Sequence, residues 1–123
     1  MKKNIFILDD DKIRIDEFRH YYRGDLIFIA SNTDEAKELL LNNSFNIIFL
    51  DHDLGDNNGC GIDIVDFIIN NNIHKKTTIY VHSMNPSAST SMYKTLMRKG
   101  FNVWKVPYSK LLHYFNSEKN DDF

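Results

Sequence analysis

The stretch Asn46–Asn72, NIIFLDHDLGDNNGCGIDIVDFIINNN, decides the fold. It starts with a short run, NIIFL (Asn46–Leu50), without the polar alternation of a half-exposed strand. Such a run reads as a strand covered on both faces. It stops at once in Asp51, His52 and Asp53, and a loop rich in glycine and asparagine follows. Then IDIVDFIINNN places Ile62, Val65 and Ile69 at helical spacing. The unit is strand, polar loop, helix.

The same unit repeats along the chain. NIFIL (Asn4–Leu8) precedes a helical pattern from Asp11 to Tyr22, with Ile15, Phe18 and Tyr22 on one side. LIFIA (Leu26–Ala30) precedes SNTDEAKELLLNN, where Asn32 caps, Glu35 stands three residues on, and Ala36, Leu39 and Leu40 form the apolar stripe. TIYV (Thr78–Val81) precedes a helix capped by Asn85, opened by Pro86 and stopped by Gly100. NVWKV (Asn102–Val106) precedes SKLLHYF, the opening of a last helix. Five strands alternating with five helices predict an α/β fold of three layers, a parallel sheet with helices on both faces. Right-handed crossovers favour the flavodoxin-like strand order 2-1-3-4-5. The pattern predicts one domain over residues 1–118 and a frayed tail at 119–123.

Composition narrows the function. The chain has 123 residues, 42% hydrophobic and 26% charged, with a formal net charge of -2. That balance argues against broad attraction to nucleic acid polymers or anionic membranes, and leaves room for a small nucleotide. The single cysteine, Cys60, allows no internal disulfide and fits a reducing compartment. The opening MKKNIFILDDD imitates a signal peptide, but three aspartates end its apolar run too early. No stretch approaches a membrane span. The expected location is cytoplasmic, and the sequence is silent on oligomeric state.

In open α/β sheets, ligands bind beyond the carboxyl ends of the strands, where strand order reverses. Strand one ends in Asp9 and Asp10, strand three in Asp51, His52 and Asp53, strand four in His82 and Ser83, and strand five at Lys105, Val106 and Pro107. Two carboxylates about 4 Å apart repel by roughly 4 kcal/mol at an effective dielectric of about 20. A divalent cation held by Asp9, Asp10, Asp51 and Asp53 relieves that repulsion. All-oxygen ligation suits Mg²⁺, and imidazole in the set favours Mn²⁺, Fe²⁺ or Zn²⁺. The other solution is that some acids stay protonated.

Each residue also has a plainer role open to it. Asp11 is expected to cap the first helix, a role open to Asp9 and Asp10 as well. Asp53 also suits a turn before Gly55, Ser83 suits a turn hydroxyl, and Asn85 suits a helix cap. Glycines 55, 59 and 61 permit tight turns, or the amides near Gly59 and Gly61 cradle a phosphate. Arg14 is either a solvated helix charge or an anion clamp, and Lys105 either a phosphate contact or a surface lysine. His52 and His82 either move protons, ligate a metal, or orient the carboxylates. His20, His74 and His113 read as surface residues away from the rim. Phe18, Tyr21 and Tyr22 are either core or a contact face.

The acidic pair, the aspartate after strand three, the hydroxyl after strand four and the lysine near a proline together resemble the response-regulator receiver fold. In receivers the strand-three aspartate is phosphorylated, the acidic pair holds Mg²⁺, and the lysine and hydroxyl contact the phosphoryl group. Carried over, these are Asp51, Asp9 with Asp10, Lys105 and Ser83. HDLG after the aspartate, His82 before the hydroxyl, and KVP in place of an adjacent lysine and proline depart from that pattern. With these departures stand the motifs LDD with Arg14, LDHDLG (Leu50–Gly55), HSMNP (His82–Pro86) and VPY (Val106–Tyr108). They resemble a divergent branch, the cyclic-phosphate-processing receiver-like family. That resemblance implies a metal-assisted phosphoesterase acting on a cyclic phosphate of a small nucleotide-derived molecule, such as ADP-ribose cyclic phosphate. Mg²⁺ or Mn²⁺ is then the expected cofactor. Asp51, His52 and His82 would carry the chemistry, and Arg14, Ser83, Asn85, Gly59, Gly61 and Lys105 would bind substrate. The rival readings are a stand-alone receiver switch phosphorylated at Asp51 and a non-catalytic nucleotide-binding protein.

Overall fold

The computed structural model describes residues 2–111. Five parallel strands, β1 (Asn4–Leu8), β2 (Leu26–Ala30), β3 (Ile47–Leu50), β4 (Thr78–Val81) and β5 (Asn102–Lys105), form one sheet in the order β2-β1-β3-β4-β5. Between them run α1 (Lys12–Tyr21), α2 (Thr33–Asn42), α3 (Gly61–Asn70) and α4 (Pro86–Arg98). A helical turn at residues 108–111 opens the fifth helix. The rest of the stretch expected to form that helix, His113 and the tail lie outside the described residues. The strand order and the α/β class are those the sequence predicts.

Side-chain alternation along the strands sorts the core into two layers. Phe6, Leu8, Ile48, Leu50, Ile79 and Val81 face α2, α3 and α4. Ile5, Ile7, Phe49 and Tyr80 face Phe18 and Tyr22 of α1 and Leu111 of the last turn. Phe18 and Tyr22 are therefore core, while Ile15, the third residue of the expected stripe, is half-buried. On α3 the buried stripe is Ile64, Val65 and Ile68, with Ile62 and Ile69 half-buried at its edges. The expected stripe of Ile62, Val65 and Ile69 shares Val65 with this centre and supplies its flanks, while Asp63, Asp66 and Asn70 keep the opposite face in solvent.

The caps follow the sequence closely. Asp11 accepts a hydrogen bond from the Arg14 amide at 3.0 Å, Asn32 from the Glu35 amide at 2.9 Å and Asn85 from the Ala88 amide at 3.1 Å. Each satisfies one amide that the first helical turn leaves open. Gly100, with φ of +84°, sits just past α4 as the expected stop. His74 departs from its surface assignment: it is half-buried, and its Nε2 lies 2.7 Å from the Leu40 carbonyl oxygen, at the amino end of the sheet.

Candidate metal and phosphate site

Register builds the site. Leu8 pairs with Leu50, Leu50 with Val81, and Val81 with Lys105. The next residues, Asp9, Asp51, His82 and Val106, continue the ladder by one hydrogen bond each: Asp9 N to Ala30 O, Asp51 N to Leu8 O, His82 N to Leu50 O and Val106 N to Val81 O. These four residues form a row across the carboxyl end of the sheet. Alternation points them to the α1 side, two positions beyond Ile7, Phe49, Tyr80 and Trp104.

Carboxylate oxygens of Asp9, Asp10 and Asp51 lie within 4.8 Å of one another. Asp9 is fully buried and Asp10 exposed, so the cluster spans from core to solvent. Arg14 answers part of the charge. Its Nε lies 2.9 Å from Asp9 Oδ2, one terminal nitrogen 2.9 Å from Asp9 Oδ1, and the same nitrogen 3.2 Å from Asp51 Oδ2. Asp9 Oδ1 also accepts from the Asp11 amide, and Asp51 Oδ1 from the His52 amide at 2.8 Å. Burial, reinforced by Asp9, pushes the Asp51 carboxyl up to about 7 against the pull of Arg14. Three carboxylates against one guanidinium leave excess negative charge in a poorly solvated hollow. An all-oxygen donor set of this kind fits a hard divalent cation.

His82 lies under the cluster. Its side chain has no exposed surface, and its Nε2 is 3.9 Å from Asp9 Oδ2, beyond hydrogen-bonding distance. Among the described residues neither ring nitrogen has a hydrogen-bond partner. Phe18, Phe49 and Tyr108 surround the ring at centroid distances of 5.7, 6.3 and 6.0 Å. Burial therefore pushes the imidazole down to about 4, with Asp9 pulling the other way. His52 is half-buried. It joins the cluster through its backbone amide, and its ring Nδ1 is buried without a partner.

Other expected site residues lie elsewhere or are already occupied. Asp53 is outside the carboxylate group; it is exposed, and its backbone pairs with Cys60. Lys105 turns away: it shares the side of Val103, and its Nζ donates to Thr90 Oγ1 on α4 at 3.1 Å. The residue at the end of β5 that faces the acids' side of the sheet is buried Val106, just past the strand. Gly61 is a close-approach glycine rather than a phosphate cradle. Its amide donates to the His52 carbonyl at 2.9 Å, and a Cβ there would overlap the Asp51 carbonyl oxygen and lie 2.8 Å from His52 Cα. Gly59, with φ of +77°, lies against Thr33 at the start of α2, where a Cβ would meet the Thr33 side chain at 2.5 Å. Asn85 Oδ1 is taken by the α4 cap, and Ser83 Oγ accepts from the Asn85 amide at 3.1 Å. Arg14 clamps carboxylates through Nε and one terminal nitrogen, while its other terminal nitrogen has only longer contacts, 3.8 Å to Asp11 Oδ2 and 3.9 Å to Met84 Sδ.

A family model described as the cyclic-phosphate processing receiver domain matches residues 5–98. The chain belongs to this family. No curated protein gives a significant match. Among solved structures, it is similar to the phosphorylated cyanobacterial phytochrome response regulator RcpA, at TM-score 0.74 and 18% identity over 97% of this chain and 92% of that one. It is also similar to a CheY-like receiver domain from Methanospirillum hungatei, at TM-score 0.69 and 19% identity over 98% and 96% of the two chains. A third similar structure is a Burkholderia pseudomallei response regulator with a phosphorylated aspartic acid, calcium ion and citrate. It has a TM-score of 0.67 and 19% identity, over 98% of this chain and 73% of that one. At such identities the likeness is one of fold.

For a cyclic-phosphate processing receiver domain, the reading from sequence passed over one residue of this site. Tyr108 closes the wall: the Arg14 guanidinium carbon lies 5.7 Å from its ring centre, and Phe18 and His82 pack on the same ring. Its place in VPY, two residues after Val106, was visible, but its contact with Arg14 depends on how the turn after β5 folds back over α1. The turning of Lys105 was legible. Period-two alternation from Val103 already sends Lys105 to the α4 side. Among the described residues no helix is long and apolar enough to cross a membrane.

Proposed function

We propose that this cyclic-phosphate processing receiver domain is a metal-assisted phosphoesterase that opens a cyclic phosphodiester on a small nucleotide-derived molecule. The observation that carries the reading is the row Asp9, Asp51, His82, Val106. A buried imidazole underlies the acids, and valine takes the place beside them where a receiver switch would need its lysine. The aspartate, on this reading, is a ligand rather than a phosphate store.

Asp9, Asp10 and Asp51 would hold Mg²⁺ or Mn²⁺, which supplies Lewis-acid polarisation of a phosphoryl oxygen and a more acidic water. His82, with no exposed surface, is a positioning residue: its Nε2 holds Asp9 in place as that long contact tightens. His52, the half-buried neighbour of Asp51 in the chain, carries the protons. It takes one from water as the new O–P bond forms and returns one to the alkoxide as the ring P–O bond breaks. The product is a phosphomonoester with a free hydroxyl. Arg14, released from Asp9 and Asp51 once their charge is otherwise met, binds a non-bridging phosphate oxygen.

The test is to incubate the protein and Mn²⁺ or Mg²⁺ with nucleoside cyclic phosphates and ADP-ribose cyclic phosphate, following product by phosphorus NMR, and separately with acetyl phosphate. Turnover that Asp51→Asn abolishes and His52→Ala lowers by roughly a hundredfold supports the enzyme. Stoichiometric acid-labile phosphate on Asp51 without turnover establishes the switch instead. Ligand binding without product establishes a nucleotide-binding protein.

A further inference from the structure

A cavity of about 440 Å³ opens beside the acids, between the end of β4, the start of α4 and the turn after β5. Its walls are largely apolar, with Val81, Pro86, Val106 and Pro107 among them, and Met84 stands at its mouth. Met84 also ties the cavity to the site. Its Sδ lies 3.9 Å from one Arg14 terminal nitrogen, while the other contacts Asp51. One small molecule can therefore reach both places. The cavity falls in the size range of pockets that enclose small organic ligands.

Two buried hydroxyls in the lining specify more than apolar bulk. Ser83 Oγ accepts from the Asn85 amide, which leaves its O–H free to donate. Ser89 Oγ donates to the Pro86 carbonyl at 3.1 Å, which leaves its lone pairs free to accept. The lining thus offers a donor at Ser83 and an acceptor at Ser89 among largely apolar walls, with Lys105, Tyr108 and Ser109 as its other polar residues. An alkyl or phenyl group would bury both unpaired, at a cost. A flat heterocycle carrying a ring nitrogen and an amine satisfies both, and rigid rings lose little entropy on binding. The lining charge, Lys105, is tied to Thr90 Oγ1.

We propose that this cavity binds a nucleobase, the ring portion of the phosphoester whose phosphate lies at the acids; the second half of that statement rests on the function proposed above. The probe is adenosine, which has no phosphate, titrated to millimolar concentration into protein carrying methyl-labelled methionine. The Met84 methyl should shift saturably, while Met97, on the far part of α4, stays still. Ser109→Trp, at the exposed rim, should abolish the shift, and in turnover should raise KM for an adenosine cyclic phosphate by roughly tenfold while leaving the KM for glycerol cyclic phosphate unchanged. Absence of a saturable Met84 shift, or equal shifts at Met97, overturns the nucleobase site even if cyclic phosphates are turned over. Adenosine binding without any turnover leaves the nucleobase site standing and removes the phosphoesterase.

Discussion

His82 breaks the rule that buried polar atoms find partners. Both of its ring nitrogens are buried and unpaired among the described residues, with the Asp9 carboxyl 3.9 Å away. Such a residue costs stability, and chains keep such costs at functional sites. His82→Leu should therefore raise the unfolding free energy by about 1 kcal/mol, because an apolar side chain of similar length fits the Phe18, Phe49 and Tyr108 surroundings without unpaired atoms. Urea denaturation of metal-free protein measures it; a loss of stability would show that the imidazole is satisfied. The same variant should lose turnover, so stability and activity move in opposite directions. The sequence singled out His82 by its place after a buried strand. It did not show that the ring is unpaired, which depends on three aromatic neighbours from three other segments.

At the scale of elements, α3 determines how tightly the end of β3 is held. The helix begins at Gly61 in contact with the Asp51 and His52 backbones, and its first amide bonds the His52 carbonyl. A methyl group there has no room, since its neighbours are backbone atoms that cannot rotate away. Gly61→Ala should cost about 3 kcal/mol, read from the urea midpoint. Gly24→Ala, where nothing lies within 4 Å, should stay within about 0.5 kcal/mol. Equal effects would refute the close-approach account. From sequence, glycines 55, 59 and 61 looked alike, as loop punctuation or phosphate cradle. Only the packing of α3 against β3 separates Gly61, which needs space, from Gly59, which needs its positive φ.

The molecule as a whole carries its charge cluster at the carboxyl end of the sheet and a different titrating group at the amino end. His74 bonds the Leu40 carbonyl through a ring N–H, packs 5.7 Å from the Phe45 ring, and neighbours Lys75 and Lys76. Partial burial holds its pKa below the ordinary value of 6.5, partly offset by the bond to Leu40. The unfolded chain therefore binds the proton more readily. The stabilisation is whole above about pH 6.5 and is lost as pH falls through and below that value. His74→Asn keeps a residue tolerant of the left-handed φ of +60° found there. The variant should show a shallower fall in urea midpoint between about pH 7.5 and 5.5 than the parent. An unchanged slope would mean that the ring titrates as if solvent-exposed.

By itself the sequence determined the α/β class, the strand order, the helix caps and the gathering of Asp9, Asp10 and Asp51. These follow from local periodicity, capping chemistry and the rule that ligands meet at strand ends, all of which act over a few neighbouring residues. Tertiary structure decided which polar groups are spent on one another. Arg14 is bound to Asp9 and Asp51, Lys105 is held by Thr90, Asp53 lies outside the cluster, and Val106 stands in the row with the acids. Those outcomes turn on register between strands and on distances between side chains far apart in the chain. A carboxylate, a guanidinium or an imidazole seen in a sequence carries its chemistry but not its partner, and the partner settles whether that chemistry is free to meet a ligand.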